Sequence, residues 1–219
     1  MSRNDLKKFV YLTVLVTVAT LTFLVWWLDG MQLGPKTLER VPTAVSANVF
    51  FWLFFMKWGW KWWPLNYLFK RPYLGGTWVG YLESDWQRGV NNPAGSIPIS
   101  FSIQQTLFTL VIRSFTNDRE GISDIAQVVV KEEIGVTYLS YVYSLREEFR
   151  AGLYQQGAAE LHVIGEGKSQ LRGEYWTNTN TRGRLILGKC CNKPLHSFGE
   201  IRERWPIEDW PRFDAPQQK

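Results

Sequence analysis

The chain has 219 residues, 45% hydrophobic and 16% aromatic, with 12 Trp and a formal charge of +5. That much apolar and aromatic content excludes a disordered or low-complexity chain, and two cysteines cannot build a disulfide framework. Residues 1–71 hold nine Lys/Arg against three Asp/Glu, while residues 72–219 hold sixteen against seventeen, so the larger part lacks the basic footprint of a nucleic-acid-polymer binder.

The first element is Phe9 to Leu28, twenty residues without a charge. At about 1.5 Å per residue it reaches across the ~30 Å hydrocarbon core of a bilayer. The basic start, Arg3, Lys7 and Lys8, also fits a cleaved signal peptide, but the run is too long and ends in Trp26-Trp27 without a small-residue cleavage pattern, so an anchor is expected. A short connection of zero net charge, Asp29 to Arg40, leads to a second span at 41–60, with Pro42 tolerable in its first turn. Lys57 and Lys61 among Trp58, Trp60, Trp62 and Trp63 mark its interfacial end. Positive charge lies before the first span and after the second, including Lys70 and Arg71, so both termini are expected in the cytoplasm. Thr13, Thr17 and Thr20 lie on one face of the first span, and Ala44 and Asn48 are four apart in the second. This is a small-and-polar seam through which helices associate in lipid, either with each other within one chain or between copies.

After residue 71 the hydrophobic period changes to two. Ile97, Ile99, Phe101 and Ile103 alternate with Pro98, Ser100, Ser102 and Gln104, and Phe108, Leu110 and Ile112 with Thr109, Val111 and Arg113. Further strands are expected at Gly76–Glu83, Gln127–Glu133, Val136–Ser144, Ala158–Ile164, Gln170–Thr177 and Arg182–Lys189. Turn-rich pieces such as Asn91-Asn92-Pro93, Asn117-Asp118, Glu133-Ile134-Gly135 and Gly165-Glu166-Gly167 separate them. With no helical period between the strands, parallel crossovers are unfavoured, and an all-β antiparallel eight-stranded barrel is preferred over a sandwich because closure removes edges. The expected organisation is a membrane module with two transmembrane α-helices at 1–71, a barrel at 72–205, whose interior is able to hold side chains or one small ligand, and an extended, proline-containing tail at 206–219.

Motifs for catalysis fail on inspection. Gly167-Lys168-Ser169 lacks the first glycine of a phosphate-binding loop, where His162 stands, and a strand follows it, so it reads as a hairpin turn. His162 and His196 have no cysteine spacing for zinc; Glu132-Glu133 and Glu147-Glu148 would split across strand faces; Ser84-Asp85 has no glycine elbow. No enzyme, metal or cofactor is expected. Adjacent Cys190 and Cys191 point to opposite faces of a strand and are expected to stay reduced, which fits a cytosolic domain. The stretch Tyr175-Trp176-Thr177-Asn178-Thr179-Asn180-Thr181-Arg182-Gly183 gathers aromatic rings, hydroxyls, amides and a guanidinium, the groups that answer a flat, polar, anionic ligand. A plain polar hairpin loop has the same composition.

Two N-terminal spans, then a strand-rich domain opening Leu74-Gly75-Gly76-Thr77-Trp78-Val79-Gly80-Tyr81-Leu82, then Ile103-Gln104-Gln105-Thr106 and Leu171-Arg172-Gly173-Glu174-Tyr175-Trp176-Thr177 followed by Thr181-Arg182-Gly183, resemble the two-transmembrane β-barrel effectors of CBASS anti-phage systems. The resemblance implies an inner-membrane protein whose cytosolic barrel binds a cyclic dinucleotide from a cognate nucleotidyltransferase. Homo-oligomerisation and disruption of the membrane then kill the infected cell. It implies ligand contacts at Trp78, Tyr81, Tyr175, Thr177, Thr179 and Arg182 and an oligomer or helix seam at Thr13, Thr17, Thr20 and Asn48. Effectors of the Panoptes type share this layout and imply the opposite sign, cyclic nucleotide holding the protein inactive. A constitutive membrane-anchored barrel for a lipid or a protein has the same fold without that response.

Overall fold

The computed structural model describes residues 3–29, 41–59, 72–85, 96–147 and 155–213, in two compact units: a helical one, residues 1–71 with 106–108, and a barrel made by the rest. The expectations for the connection 30–40, for Trp60, Lys61, Trp62, Trp63, Lys70 and Arg71, for Asn91-Asn92-Pro93 and for 214–219 lie outside the described residues.

In the helical unit, α1 is Arg3–Asp29, and its stretch Lys7–Trp27 is long and apolar enough to cross a bilayer. Helix α2, Val41–Lys57, has 17 residues and ends before the expected Trp60. At 1.5 Å per residue it is about 25 Å long, short of a full hydrocarbon core, so α1 alone meets the length of a span and α2 is a shorter apolar helix. The helices meet through Phe9 and Trp52, ring centroids 4.1 Å apart, and through buried Ala44 and Asn48.

The barrel unit is a meander of eight antiparallel strands closed by pairing the first with the last. They are β1 (Gly76–Ser84), β2 (Ser96–Gln105), β3 (Leu110–Phe115), β4 (Arg119–Lys131), β5 (Val136–Glu147), β6 (Gln155–Ile164), β7 (Gln170–Thr177) and β8 (Arg182–Cys191). Every expected strand is present. β7 has the bounds read from the pattern, whereas β4 starts eight residues earlier than Gln127 and β3 begins at Leu110 rather than Phe108. Alternation directs Trp78, Phe101, Ile103, Ile112, Leu139, Leu161, Leu171, Leu185 and Leu187 inward, where they fill the interior as one cluster. The interior is therefore mostly packed side chain rather than a cavity.

One end of the barrel is sealed. Leu74, fully buried, gives its backbone N–H to Gln105 Oε1 at 2.6 Å, Gln105 Nε2 donates to the Pro72 carbonyl at 3.0 Å, and the Trp78 indole N–H donates to the Leu74 carbonyl at 2.8 Å. These bonds satisfy polar groups that burial would otherwise leave unpaired.

The C-terminal segment is not the extended tail that its prolines imply. Ser197 caps a short helix, α3 (Phe198–Arg204), a 3-10 turn follows at Ile207–Asp209, and Ile201 and Trp210 are buried. With Leu195 they form a second cluster on outward-facing Val79, Tyr81, Phe115 and Ile186. Buried Thr77 ties the segment down, donating to the Lys193 carbonyl at 2.7 Å and accepting from the Leu195 N–H at 3.0 Å. β1 is thus apolar on both faces because both are covered.

Candidate functional site

The other end of the barrel is polar among the described residues. Inward positions approaching this end include Ser84 of β1, Tyr143 of β5, Gly157 of β6, Tyr175 of β7 and Gly183 of β8, and the register pairs Tyr143 with Gly157 and Tyr175 with Gly183. The glycines are spatial necessities: a Cβ at Gly157 would meet the Tyr143 hydroxyl and one at Gly183 the Tyr175 ring. Each large ring lies across a strand that supplies no side chain, and the rings of Tyr141 and Tyr143, 5.5 Å apart, continue inward. Burial raises the phenol pKa of Tyr141, Tyr143 and Tyr175; Tyr143 adds to the rise at Tyr141 and Tyr175 to that at Tyr143, while at Tyr175 a hydrogen bond with Ser84 partly offsets the rise and the Asp85 carboxylate adds to it. At neutral pH all three are neutral hydroxyls, able to donate as well as accept.

Around the lip, hydroxyls and amides form a connected row. The Arg119 guanidinium donates to Gln155 Oε1 at 3.4 Å, Gln155 Nε2 donates to Thr179 Oγ1 at 2.9 Å, and Thr179 and Thr177 share a hydroxyl contact of 2.9 Å. The β7–β8 turn is held by Thr181 N–H to Thr177 Oγ1 at 3.2 Å, by Asn180 in the left-handed region at φ 59°, and by the Arg182 N–H to Asp85 Oδ1 at 2.8 Å. A cleft of about 720 Å³ opens here, lined among others by Ser84, Asp85, Tyr175, Thr177, Asn180 and Arg182. Carboxylates enter it too: Asp85, Glu174, and Glu83, the last paired with Arg184 at 2.6 Å. Arg182, exposed on the outer lip with no side-chain partner among the described residues, is the cation left for an anion there.

The structure brings Tyr175, Thr177, Thr179 and Arg182 to this lip and separates Trp78 and Tyr81 from it. Trp78 is fully buried in the interior cluster, bonded to Leu74, so it is a core residue. Tyr81 points outward beneath the C-terminal segment, donating to the Ile207 carbonyl at 2.8 Å and accepting from Arg212 at 3.1 Å. Tyr175 and Trp176, adjacent in sequence, face opposite sides of the wall, so they do not present two rings to one ligand. Sequence reasoning missed Tyr143, Arg119 and Gln155; the signal for Tyr143 is the Leu139, Tyr141, Tyr143, Leu145 alternation, which puts tyrosines where leucines would complete a core.

The seam residues meet within one chain. Asn48 Nδ2 donates to Thr17 Oγ1 and to the Thr13 carbonyl, while Thr13, Thr17 and Thr20 each donate back to a carbonyl of their own helix at 2.8 Å. Gly167 at φ 66° and Lys168 at φ 58° make the Gly167-Lys168-Ser169 stretch a tight turn into β7. His162 lies on the outer face against the Tyr138 ring. Among the described residues no group of three His, Cys, Asp or Glu could hold a metal ion.

No family model matches the chain. It is similar to CD-NTase-associated protein 15 of Escherichia albertii, 25% identical over 167 residues, which covers 72% of this chain and 84% of that one. It is also similar to the protein of the same name from Staphylococcus schleiferi, 22% identical over 181 residues, covering 82% and 90%.

Proposed function

We propose that this chain is a CBASS-type anti-phage effector, an inner-membrane protein with both termini in the cytoplasm. Its barrel senses a cyclic dinucleotide made by a cognate nucleotidyltransferase, and activated copies assemble and breach the membrane. One observation carries the reading: a barrel packed with side chains elsewhere carries, among its described residues, a polar lip of tyrosine and threonine hydroxyls and a guanidinium with no side-chain partner there. The similarity to two proteins named for their association with a CD-NTase supports it.

The lip's chemistry matches the parts of a cyclic dinucleotide. Tyr143 and Tyr175, though mostly buried, direct hydroxyl donors towards the lip, Thr177, Thr179 and Gln155 answer base and ribose edges, and Arg119 and Arg182 serve the two phosphates. The protein needs no catalytic group for this, because binding alone biases an equilibrium between inactive and assembled states. Moving that equilibrium from mostly inactive to mostly active takes a state preference of about 5.5 kcal/mol, within reach of several hydrogen bonds and two charge-assisted contacts. The membrane module completes the device: α1 spans, α2, at the short end of the spanning range of about 17–25 residues, returns the chain, and clustering of these helices opens the bilayer.

The test is thermal melting of the full-length chain in detergent micelles with cyclic di-AMP, cyclic di-GMP or cyclic GMP–AMP. A ligand at about a hundred times its Kd stabilises by about 2.7 kcal/mol, which at this size raises Tm by roughly 5–10 °C. Thr177→Val with Arg182→Ala is expected to remove the shift while leaving the unliganded Tm nearly unchanged. Co-expression with a cyclase then reads the sign, death of the cells being the expected result. No shift with any of the three nucleotides overturns the reading.

A further inference from the structure

The outer surface of the barrel is covered on one side and bare on the other. Residues 195–213 pack over outward positions of β1 and β8, whereas the strands β4 to β7 carry an exposed row. The register makes that row continuous: Ile125 stands opposite Val142, Val142 opposite Ala158, Ala158 opposite Trp176, and Trp176 opposite Arg182. Ile125 is 68% exposed, Val142 39% and Trp176 49%. The neighbouring outward row is polar, running Gln127, Ser140, Glu160, Glu174, Arg184. An apolar stripe therefore crosses four strands beside a polar row, where alternation would be expected to place polar residues.

The two ends of the stripe carry opposite charge. The register shift between Ser123 and Ile125 is a bulge that inserts Asp124, an exposed carboxylate accepting from Ser144 Oγ at 2.6 Å. The bulge thus sets an acid beside Ile125 at the β4 end, while at the β8 end stands Arg182, whose backbone N–H is held by Asp85 and whose guanidinium has no side-chain partner among the described residues. Shape follows the same plan. With strands tilted about 40° to the barrel axis, three register steps turn the surface by about 80°, so each end of the stripe falls away by roughly 3 Å from a plane touching its middle. The small side chains, Val142 and Ala158, sit in the middle, and the large ones, Ile125 and Trp176, fill the wedges at the ends.

We propose that this stripe docks a second copy of the chain, across a two-fold axis running along β5 and β6. Ile125 of each copy then meets Trp176 of the other, Val142 meets Ala158, and the Asp124 end meets the Arg182 end. Reversal about that axis places acid on base at both ends, which makes the patch self-complementary as an isologous interface requires. The stripe exposes only on the order of 300 Å², too little for a tight dimer in dilute solution. Confinement of tethered copies to one membrane plane supplies the missing effective concentration. This pairing is a nucleotide-independent contact between tethered copies, on which the ligand-driven assembly proposed above builds, and it is tested without nucleotide, so its failure and the failure of ligand sensing are separate results.

The experiment uses full-length chain in phosphatidylethanolamine–phosphatidylglycerol vesicles, with Cys190→Ala and Cys191→Ser as background. Differently tagged copies carry Ile125→Cys or Trp176→Cys, and mild oxidation reads disulfide formation between them. The mixed pair is expected to crosslink about tenfold more than either same-position pair, and a chain carrying both substitutions is expected to stop at dimers. Ala158→Glu, at the centre of the stripe and directed outward, lowers the mixed yield at unchanged Tm. Equal or greater same-position crosslinking, ladders beyond the dimer, or no crosslink at all overturns the pairing.

Discussion

Replacing Trp78 separates a core role from a ligand role, because the two predict different observables. The indole is fully buried among the interior residues, and its N–H satisfies the carbonyl of Leu74. Trp78→Ala leaves a cavity whose cost is about 3–5 kcal/mol, and the deserted carbonyl, buried at the sealed end, adds to it. Taking about 4 kcal/mol and about 2–4 °C per kcal/mol for a chain of this size, Tm of the full-length chain in detergent falls by about 8–16 °C. Trp78→Phe keeps most of the volume and loses only the bond and part of the ring; it is expected about 5–10 °C below the parent. Far-UV circular dichroism during heating reads both. A ligand-contacting side chain at an open lip would cost within about 0.5 kcal/mol on truncation. If Trp78→Ala melts within about 3 °C of the parent, the assignment of Trp78 to the core is wrong.

Tyr81→Phe removes the hydroxyl that joins the Ile207 carbonyl to Arg212; a loss of about 1 kcal/mol is expected, read as faster proteolysis after residue 195 with the nucleotide response retained. Asn48→Leu removes the bonds from α2 to Thr13 and Thr17 and is expected to weaken the α1–α2 contact by about 0.6 kcal/mol, seen as reduced disulfide trapping between cysteines placed at Phe9 and Trp52 in a Cys190→Ala, Cys191→Ser background; undiminished trapping counts against the seam. Burial raises the Cys190 thiol to about 11, with the neighbouring Cys191 adding to it, so in a Cys191→Ser chain alkylation by iodoacetamide is expected to be slow at pH 8 and to quicken about tenfold per pH unit towards that value. Because the folded thiol holds its proton more tightly than the unfolded one, the stability it contributes is present below about pH 9 and is lost as pH rises towards about 11, and stability that increases over that window contradicts the burial.

The strands were legible wherever one face is apolar and the other polar, as in β2, β5 and β7. β4 was cut short because its first half inverts the rule. Its inward positions are Gly121, Ser123 and Ala126, small because Tyr143 and Tyr141 of β5 occupy the space beside them, and the bulge at Asp124 breaks the period between them. Ile122 and Ile125, the apolar residues of that half, face outward, so a period count finds nothing to follow. The C-terminal segment failed for a different reason. Its prolines suppress any helical period, and its burial depends on a surface contributed by β1 and β8, which no local window contains. The clue lay elsewhere: Trp78, Val79, Tyr81 and Leu82 leave β1 with no polar face, and a strand apolar on both sides needs a cover. The same fact misplaced Trp78 and Tyr81 among ligand candidates, since an aromatic pair in a strand reads alike whether it faces a ligand, a core or a packed tail.

What distinguishes the two ends of the barrel is how each satisfies its polar groups. At the sealed end every polar atom named above is bonded to another part of the wall: Gln105 spans Leu74 and Pro72, and the Trp78 indole holds Leu74. At the open end the bonds run along the lip, from Arg119 through Gln155 and Thr179 to Thr177, with Arg119 and Thr179 exposed and Gln155 and Thr177 partly exposed. Ligand binding at the open end therefore exchanges water for ligand at little cost in protein bonds, whereas binding at the sealed end would first have to break buried ones, each costing about 1–3 kcal/mol to leave unpaired. Gln105→Leu and Gln155→Leu put this contrast to a direct test. Gln105→Leu is expected to lower Tm by about 5–10 °C and spare nucleotide binding, while Gln155→Leu is expected to leave Tm within about 2 °C and weaken nucleotide binding. The opposite pattern would place the working end of the barrel at Leu74 and Gln105.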